Sequence, residues 1–210
     1  MSEVLERLGR RFARVVTTSV VARPGLWRLL RRPLRSQFEH LAPVWDKRRG
    51  PETLIPLGVA LDRLDTDPQR ILDLGTGTGA AARVVARRFS EAAVVGVDLA
   101  PKMVEEARAL LPSDLAHRVS YEVGDASSLD FEPAAFDLVV LLNMIPFFEE
   151  LARVTAPGGT VIFAFSSGPG TPIYVPTEKL RERLGPLGFE ALEEVAAGPG
   201  TAVLARRADA

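Results

Sequence analysis

The sequence predicts an α/β protein with a doubly wound, mostly parallel sheet of seven strands, preceded by an N-terminal helical extension. From residue 70 onward, short apolar runs alternate with amphipathic helical stretches. The runs are almost continuously apolar, which is typical of parallel strands that helices cover on both faces. The last two runs flank Gly198-Pro199-Gly200, which predicts a hairpin and therefore an antiparallel strand near the end of the chain.

Each predicted element follows from a local pattern. Strands are expected over seven apolar runs, which are residues 70–74, 93–97, 119–123, 136–142, 160–165, 189–195 and 201–205. Helices are expected over the stretches between them, at residues 80–89, 101–111, 147–154 and 177–184. Pro157-Gly158-Gly159 predicts a turn before the fifth strand.

Residues 1–50 form a candidate helical head that is separate from a main domain at residues 51–210. The spacing of apolar positions predicts a helix over residues 3–22, with one face formed by Val4, Leu5, Leu8, Phe12, Val15 and Val16. Pro24 and Gly25 break that helix, and a short second helix is expected from residue 26 until the residue before Pro33. Residues 34–50 have no clear pattern, whereas residues 52–64 favour a further helix.

The head is basic and the rest of the chain is acidic. Residues 1–49 hold 12 Lys or Arg and 4 Asp or Glu, so their net charge is +8, against −9 for the remainder. Helix 3–22 is therefore either a lid whose apolar face packs on the main domain, or a peripheral membrane helix whose arginines contact headgroups. A loosely ordered arm is the third hypothesis. Nucleic acid is not expected as a partner, because no aromatic platform accompanies the arginines.

The composition restricts both the chemistry and the location. The chain has no cysteine and only two histidines, which excludes disulfides, thiolate nucleophiles and Cys- or His-rich metal sites, so no metal is expected. We interpret His40 and His117 as non-catalytic. No apolar run is long enough to span a membrane, and arginines interrupt any secretory signal. We therefore expect a cytoplasmic protein, with a membrane-peripheral position as the alternative.

Three glycines at alternate positions, Gly75, Gly77 and Gly79, directly follow the first strand and precede a helix. They let the main chain turn tightly and approach a ligand. Gly75, Gly77 and Ala80 also match the dinucleotide-binding pattern, which keeps an NAD(P)-dependent oxidoreductase open. Asp73 favours a different ligand, because a carboxylate repels a pyrophosphate but attracts a cofactor that carries an ammonium.

From about Arg70 onward, the chain resembles the class I S-adenosylmethionine-dependent methyltransferases, in particular the small-molecule, quinone-biosynthesis-like group (methyltransferase type 11). The resemblance rests on five segments in the family's order, which are the loop 73–79, Asp98, Gly124-Asp125-Ala126, residues 136–140 and residues 151–159. It implies a Rossmann-like fold and S-adenosylmethionine as cofactor. The residues that it implies for cofactor binding are Asp73, Gly75, Thr76, Gly77, Gly79, Asp98, Leu99, Met103, Asp125, Ala126 and Asn143.

The resemblance also implies which part of the cofactor each of these residues contacts. Asp73 faces its ammonium, Asp98 accepts hydrogen bonds from the ribose hydroxyls, and Asp125 accepts one from the adenine amino group. Leu99 and Met103 flank the adenine. For the methyl acceptor, the implied contacts are Trp45, Asn143 and Phe147.

In-line methyl transfer to a small molecule is the function that the resemblance implies. Alignment of the nucleophile and exclusion of water supply much of the rate of such a reaction. The sequence shows no obvious general base, so the catalytic residues stay unassigned and a non-catalytic cofactor-binding module is a second alternative. Residues 137–158 are fewer than in the quinone-biosynthesis-like group, by roughly two helical turns. The acceptor pocket is therefore expected to differ from that group's.

Overall fold

The computed structural model describes residues 3–48 and 50–209, and its centre is one seven-stranded sheet. The strands are β1 (Arg70–Leu74), β2 (Ala93–Asp98), β3 (Val119–Val123), β4 (Phe136–Leu142), β5 (Thr155–Phe165), β6 (Phe189–Ala197) and β7 (Gly200–Arg207). Their order across the sheet is β3-β2-β1-β4-β5-β7-β6. Strand β7 runs antiparallel to both of its neighbours, and the other pairs are parallel. The predicted fold class is confirmed.

Helices cover both faces of this sheet. They are α1 (Glu3–Ala22), α2 (Trp27–Leu41), α3 (Ile55–Leu61), α4 (Ala80–Arg88), α5 (Pro101–Ala109), α6 (Phe148–Val154) and α7 (Thr177–Leu184). Buried side chains of α3, α4 and α5 share one core with Ile71, whereas those of α1, α2, α6 and α7 share the other with Leu72. Neighbouring residues of β1 point to opposite faces because side chains alternate along a strand.

The connection after β1 lies where the strand order reverses. From β1 the chain continues to β2 on one side, whereas β4 lies directly on the other side. In open α/β sheets a ligand binds at this switch point, beyond the carboxyl ends of the strands. The glycine loop at residues 75–79 occupies this position.

Helix α2 does not end before Pro33, and that prediction was wrong. It continues to Leu41, through most of the segment that showed no clear pattern. Proline removes the hydrogen bond to the carbonyl four residues earlier, here that of Leu29. Leu29 is exposed, so water can bind this carbonyl, while the buried Trp27 and Leu34 on either side of Pro33 anchor the helix.

Strand β5 begins earlier than predicted. Phe136 pairs with Thr155, and the ladder then resumes between Leu138 and Thr160. The predicted turn at Pro157-Gly158-Gly159 is therefore an irregularity within the strand, and Gly158 takes a φ of +69° there. Strands β6 and β7 also extend beyond their predicted ends, because their hairpin ladder is continuous to Ala197 and Gly200.

The head packs on the main domain, but not through the whole apolar face predicted for α1. Val16 is buried in the core of the sheet together with Val20, a position outside the predicted face. Leu8, Phe12 and Val15 stay exposed. The side chains of Val4 and Leu5 lie outside the described residues. Over the described part of the chain, no helix combines the length and the apolar character that crossing a membrane requires.

Candidate functional site

The loop after β1 contains three glycines in left-handed conformations and lies beside the head. The φ angles of Gly75, Gly77 and Gly79 are +74°, +55° and +80°. The backbone N–H groups of Gly75 and Thr76 donate to the Val97 carbonyl at 2.8 and 3.0 Å. Glycine is required because other residues are strained at these angles. The loop is therefore anchored to β2 while its main chain lines a cavity.

Asp73 is the most buried carboxylate of the site, with 1% of its surface exposed. Its Oδ2 accepts hydrogen bonds from the Thr76 hydroxyl at 2.6 Å and from the Ala82 N–H at 2.9 Å. Its Oδ1 is buried and has no partner. Burial raises the pKa of Asp73 to about 6, although the two hydrogen bonds act in the opposite direction. A buried acceptor without a donor indicates that a donor belongs beside it.

Asp98 ends β2 and closes the next side of the loop. Its Oδ2 accepts the Gly77 N–H at 2.9 Å, and its Oδ1 accepts the Ala100 N–H at 2.8 Å. Each carboxylate oxygen can accept a second hydrogen bond, so two acceptor positions remain. Burial raises the pKa of Asp98 despite these backbone donors. The group can therefore bind a pair of hydroxyls.

A cavity of about 840 Å³ joins the loop to the head. This volume falls within the usual range for cofactor sites. Most of the sequence-predicted residues line it, namely Trp45, Asp73, Gly75, Thr76, Gly77, Asp98, Leu99, Met103, Ala126 and Asn143. Its other wall comes from the head, through Gly9, Arg10, Ala13, Trp27, Leu34, Gln37, Phe38, His40 and Leu41.

Asp125 does not line the cavity, because side chains of the head occupy its carboxylate. Its Oδ1 accepts the Trp27 indole N–H at 2.7 Å, and its Oδ2 pairs with Arg31 at 3.0 Å. Burial opposes ionisation, but these bonds and those from Ser127 outweigh it and lower the pKa of Asp125. The implied adenine contact of Asp125 stays a prediction, and it has to coexist with helix α2.

Gly79 and Phe147 also lie outside the cavity lining. Gly79 caps the start of α4, where any Cβ would collide with the Tyr121 hydroxyl. Phe147 is buried and packs edge-on against Trp27, with 5.1 Å between ring centroids. Phe147 therefore supports a cavity residue from behind, and the cavity lining does not favour the predicted substrate contact.

Trp45 and Asp46 connect the head to the glycine loop. The Trp45 indole nitrogen lies 3.3 Å from the point where a Cβ on Gly77 would stand. Asp46 accepts a hydrogen bond from the Thr78 hydroxyl at 2.5 Å. Trp45 thus lies at the cavity wall beside the glycine loop, and the hydrogen bond of Asp46 holds this segment there, while the predicted contact of Trp45 with the methyl acceptor stays a prediction.

Asn143 fixes the far end of the cavity. It has a positive φ of +53°, and its side-chain amide donates to the Ser166 hydroxyl at 3.0 Å and accepts the Ser166 N–H at 2.9 Å. This reciprocal pair ties the end of β4 to the end of β5. Met144 follows and covers Gly75 so closely that a Cβ there would collide with its sulfur.

Trp27, Met144 and His40 are among the cavity residues that the sequence did not reveal or that we interpreted differently. Trp27 belongs to no motif, since its place at the cavity depends on how the head docks, and Met144 reaches the glycine loop only because β1 and β4 are neighbours in the sheet. His40 was interpreted as non-catalytic, yet it lines the cavity. Its Nδ1 lies 2.6 Å from the Ser36 carbonyl, which only accepts hydrogen bonds, so Nδ1 is the donor in this contact.

Comparison with known proteins points to the same family as the site. Residues 71–159 match the family model described as a methyltransferase domain. The chain is 39% identical over 121 residues to malonyl-[acyl-carrier protein] O-methyltransferase of Halorhodospira halophila, with 53% of this chain and 40% of that protein covered. It is 34% identical over 119 residues to the chloroplastic tocopherol O-methyltransferase of Arabidopsis thaliana, with 53% and 34% covered. The chain thus spans less than half the length of these relatives.

Solved structures share the fold over more of the chain. A methyltransferase crystallised with the Trm112 methyltransferase activator of Haloferax volcanii has a TM-score of 0.69 at 21% identity. The match covers 81% of this chain and 97% of that one. Sheet order, glycine loop and family model agree: the chain contains a methyltransferase domain over residues 71–159 and has the fold of the class I S-adenosylmethionine-dependent methyltransferases.

Proposed function

We propose that this chain binds S-adenosylmethionine in the cavity and transfers its methyl group to a small molecule. The observation that carries the proposal is the unpartnered Oδ1 of Asp73, buried beside three glycines with positive φ. An ammonium group supplies the missing donor and a compensating positive charge. The acceptor positions left on Asp98 suit the two ribose hydroxyls. The residues present therefore fit the cofactor.

The chain's own residues contribute binding, orientation and exclusion of water. When bound, the cofactor supplies a methyl group that its positively charged sulfur activates for displacement. Asp73 and Asp98 hold the two ends of its polar framework, and Trp45 and Met144 cover the glycine loop from the cavity side. The two hydrogen bonds between Asn143 and Ser166 keep the ends of β4 and β5 at a fixed distance. Alignment of this kind is the main demand of an in-line displacement.

A dinucleotide is the rival ligand, and calorimetry separates the two. We expect S-adenosylhomocysteine to bind and NAD(P) to give no heat. Asp98→Ala should weaken S-adenosylhomocysteine at least tenfold, or about 1.4 kcal/mol, through loss of charge-assisted hydrogen bonds. Asp114→Ala, which removes an exposed carboxylate outside the cavity, should bind like the wild type. Binding of NAD(P) alone would overturn the proposal, and an unchanged affinity of Asp98→Ala would remove Asp98 from the site.

Transfer itself is tested with S-adenosylmethionine that carries a labelled methyl group. We expect label in a small-molecule product when the enzyme is incubated with a cell extract. Cofactor binding without any labelled product would favour the non-catalytic module instead.

For the head, we propose two roles in a cytoplasmic protein. Residues 1–50 act as a lid on a domain of residues 51–210, which is supported by the bonds of Trp27 and Asp46 to the main domain. Residues 3–22 also contact a membrane from outside, which is supported by the exposure of Leu8 and Val15.

A further inference from the structure

The outer face of the head carries exposed apolar side chains from both of its helices. We define this outer face as Leu8, Phe12, Val15 and Leu29, which are 54%, 37%, 63% and 74% exposed. Leu8, Phe12 and Val15 follow one another at intervals of four and three residues, so they form one stripe along α1. Leu29 is two positions from the buried Trp27, which places it roughly 200° around α2 and therefore on the far side from the domain.

The two helices present these side chains in the same direction. They lie side by side, with Gly9 of α1 directly against Gln37 of α2. Each helix turns its buried side chains toward the same core of the sheet, Val16 and Val20 from α1 and Leu34 from α2. Their opposite sides must therefore face solvent together. Exposed apolar side chains on the solvent side of two adjacent helices indicate an interaction surface.

Unpaired arginines flank this surface. Arg10 and Arg14 are bound to carbonyl groups at residues 169–171, and Arg31 is bound to Asp125. By contrast, the guanidinium groups of four exposed arginines form no hydrogen bond or ion pair within the part of the chain that the structure describes, namely those of Arg11, Arg23, Arg28 and Arg32. Guanidinium groups beside exposed apolar side chains match an anionic lipid surface, which attracts each positive charge.

The distribution of charge also determines how the protein is oriented on an anionic surface. The head carries +8 and the remainder of the chain −9, so an anionic surface attracts the head and repels the main domain. Binding to an uncharged protein partner would not require opposite net charges on the head and the main domain. The partner that fits the outer face is therefore an anionic bilayer.

The inner sides of the same two helices line the cavity. Gly9 and Ala13 contribute from α1, and Leu34 and Phe38 contribute from α2. Ile145 and Ile173 continue this apolar wall on the main domain. One pair of helices thus separates the proposed membrane contact from the acceptor side of the cavity.

We infer that the methyl acceptor is an apolar, membrane-dissolved molecule with a nucleophilic hydroxyl or amine, which enters the cavity from an anionic bilayer held at the outer face. The inference rests on the proposed methyltransferase function. A lone pair of the acceptor oxygen or nitrogen forms the bond to the methyl carbon while the carbon–sulfur bond breaks and its electron pair stays on sulfur. The acceptor's proton leaves to solvent.

Vesicle sedimentation tests the membrane contact. The wild type should sediment with vesicles of phosphatidylcholine that contain about one third phosphatidylglycerol, and high salt should release it. It should not sediment with phosphatidylcholine alone. The triple variant Leu8→Ser, Val15→Ser, Leu29→Ser should bind at least tenfold more weakly. The control Ile55→Ser, Leu110→Ser removes two exposed apolar side chains outside the head and should bind like the wild type.

Labelled-methyl transfer tests the acceptor class. Lipids extracted from the producing organism's membranes are incorporated into the same vesicles, and the water-soluble extract is assayed in parallel. Label should enter a product that partitions into organic solvent. The triple variant should lose at least tenfold with vesicles and recover in detergent micelles, because none of its substituted residues lines the cavity.

The outcomes separate this inference from the proposed function. Equal sedimentation of the triple variant, or failure of the wild type to sediment with anionic vesicles, overturns the membrane contact. Label confined to water-soluble products overturns the acceptor class while leaving methyl transfer intact. Absence of S-adenosylhomocysteine binding would instead reject the proposed function. Unchanged binding of S-adenosylhomocysteine to the triple variant shows that it is folded.

Discussion

At the scale of single residues, Asp73 determines most of what the site can bind. A carboxylate that is buried with one oxygen unpartnered costs free energy, because ionisation in that environment is penalised. Burial is the largest cause of its raised pKa, the nearby Asp98 adds to it, and Arg83 counteracts it. The residue is therefore poised between its neutral and ionised forms near pH 6 until a cation arrives.

The pH dependence of cofactor binding follows from this carboxylate. The pKa in the folded protein, about 6, lies above the ordinary value of 3.8, so the free protein holds a proton that its unfolded chain would release. The free energy of unfolding of the free protein therefore falls as pH rises from 4 to 6, by up to about 3 kcal/mol. An ammonium ligand requires ionised Asp73. Affinity for S-adenosylhomocysteine should therefore rise about tenfold between pH 5 and pH 7.5.

Calorimetry across this pH range checks the prediction. Asp73→Asn should bind more weakly and give a flat profile, whereas Asp114→Ala should follow the wild type. A flat wild-type profile would mean that Asp73 is not the group facing the ammonium.

At the scale of elements, helix α2 shows how packing overrides a local signal. Pro33 predicts a helix end, and in an isolated peptide its missing N–H and its ring would oppose the helix. Trp27 and Leu34 are buried and Asp125 binds the first turns through Trp27 and Arg31, so tertiary contacts hold the helix across the proline. A local sequence pattern cannot reveal this stabilisation, because Asp125 lies far from α2 in the sequence.

Replacing Pro33 should show how much this proline destabilises helix α2. Pro33→Ala restores a donor for the exposed Leu29 carbonyl and removes a residue that disfavours helix interiors by about 3 kcal/mol. Part of the gain is lost because alanine makes the unfolded chain more flexible. We expect urea unfolding to show a free energy of unfolding about 1–2 kcal/mol higher, with little change for the neighbouring Arg32→Ala. A decrease would show that the proline ring itself stabilises the head.

At the scale of the whole molecule, the head and the sheet line one cavity. Trp27, Leu34 and Trp45 line the same cavity as Asp73 and Asp98, although they lie far apart in the sequence. A ligand in this cavity contacts both parts, so its binding energy adds to the docking of the head. Closing such a wall over the cofactor also excludes water from the transfer.

Hydrogen exchange should detect this coupling. At a concentration of S-adenosylhomocysteine about 100 times its Kd, amides of α1 and α2 should exchange more slowly, with up to about 2.7 kcal/mol of added protection. Amides of the β6–β7 hairpin, which lies at the far edge of the sheet, should change only as much as global stability requires. Added protection in the main domain without any in α1 and α2 would mean that the head is not part of the cofactor site.

The sequence by itself determined the sheet and the cofactor loop. Apolar runs, glycines and the acids at strand ends are local signals, and residues such as Asp73 and Asp98 follow directly from the strands that carry them. The bounds of β1, β3, β4 and α7 agree with their predictions because each ends at a strong local break.

Only the tertiary structure decided how the head completes the site. It brought Trp27 and Arg31 to Asp125, placed His40 at the cavity, moved Phe147 behind Trp27 and left half of the predicted apolar face of α1 exposed. These outcomes depend on contacts between residues that lie far apart in the sequence, such as Trp27 and Phe147. Helical periodicity shows that a face is apolar, but the surface that covers it is known only once the chain has folded.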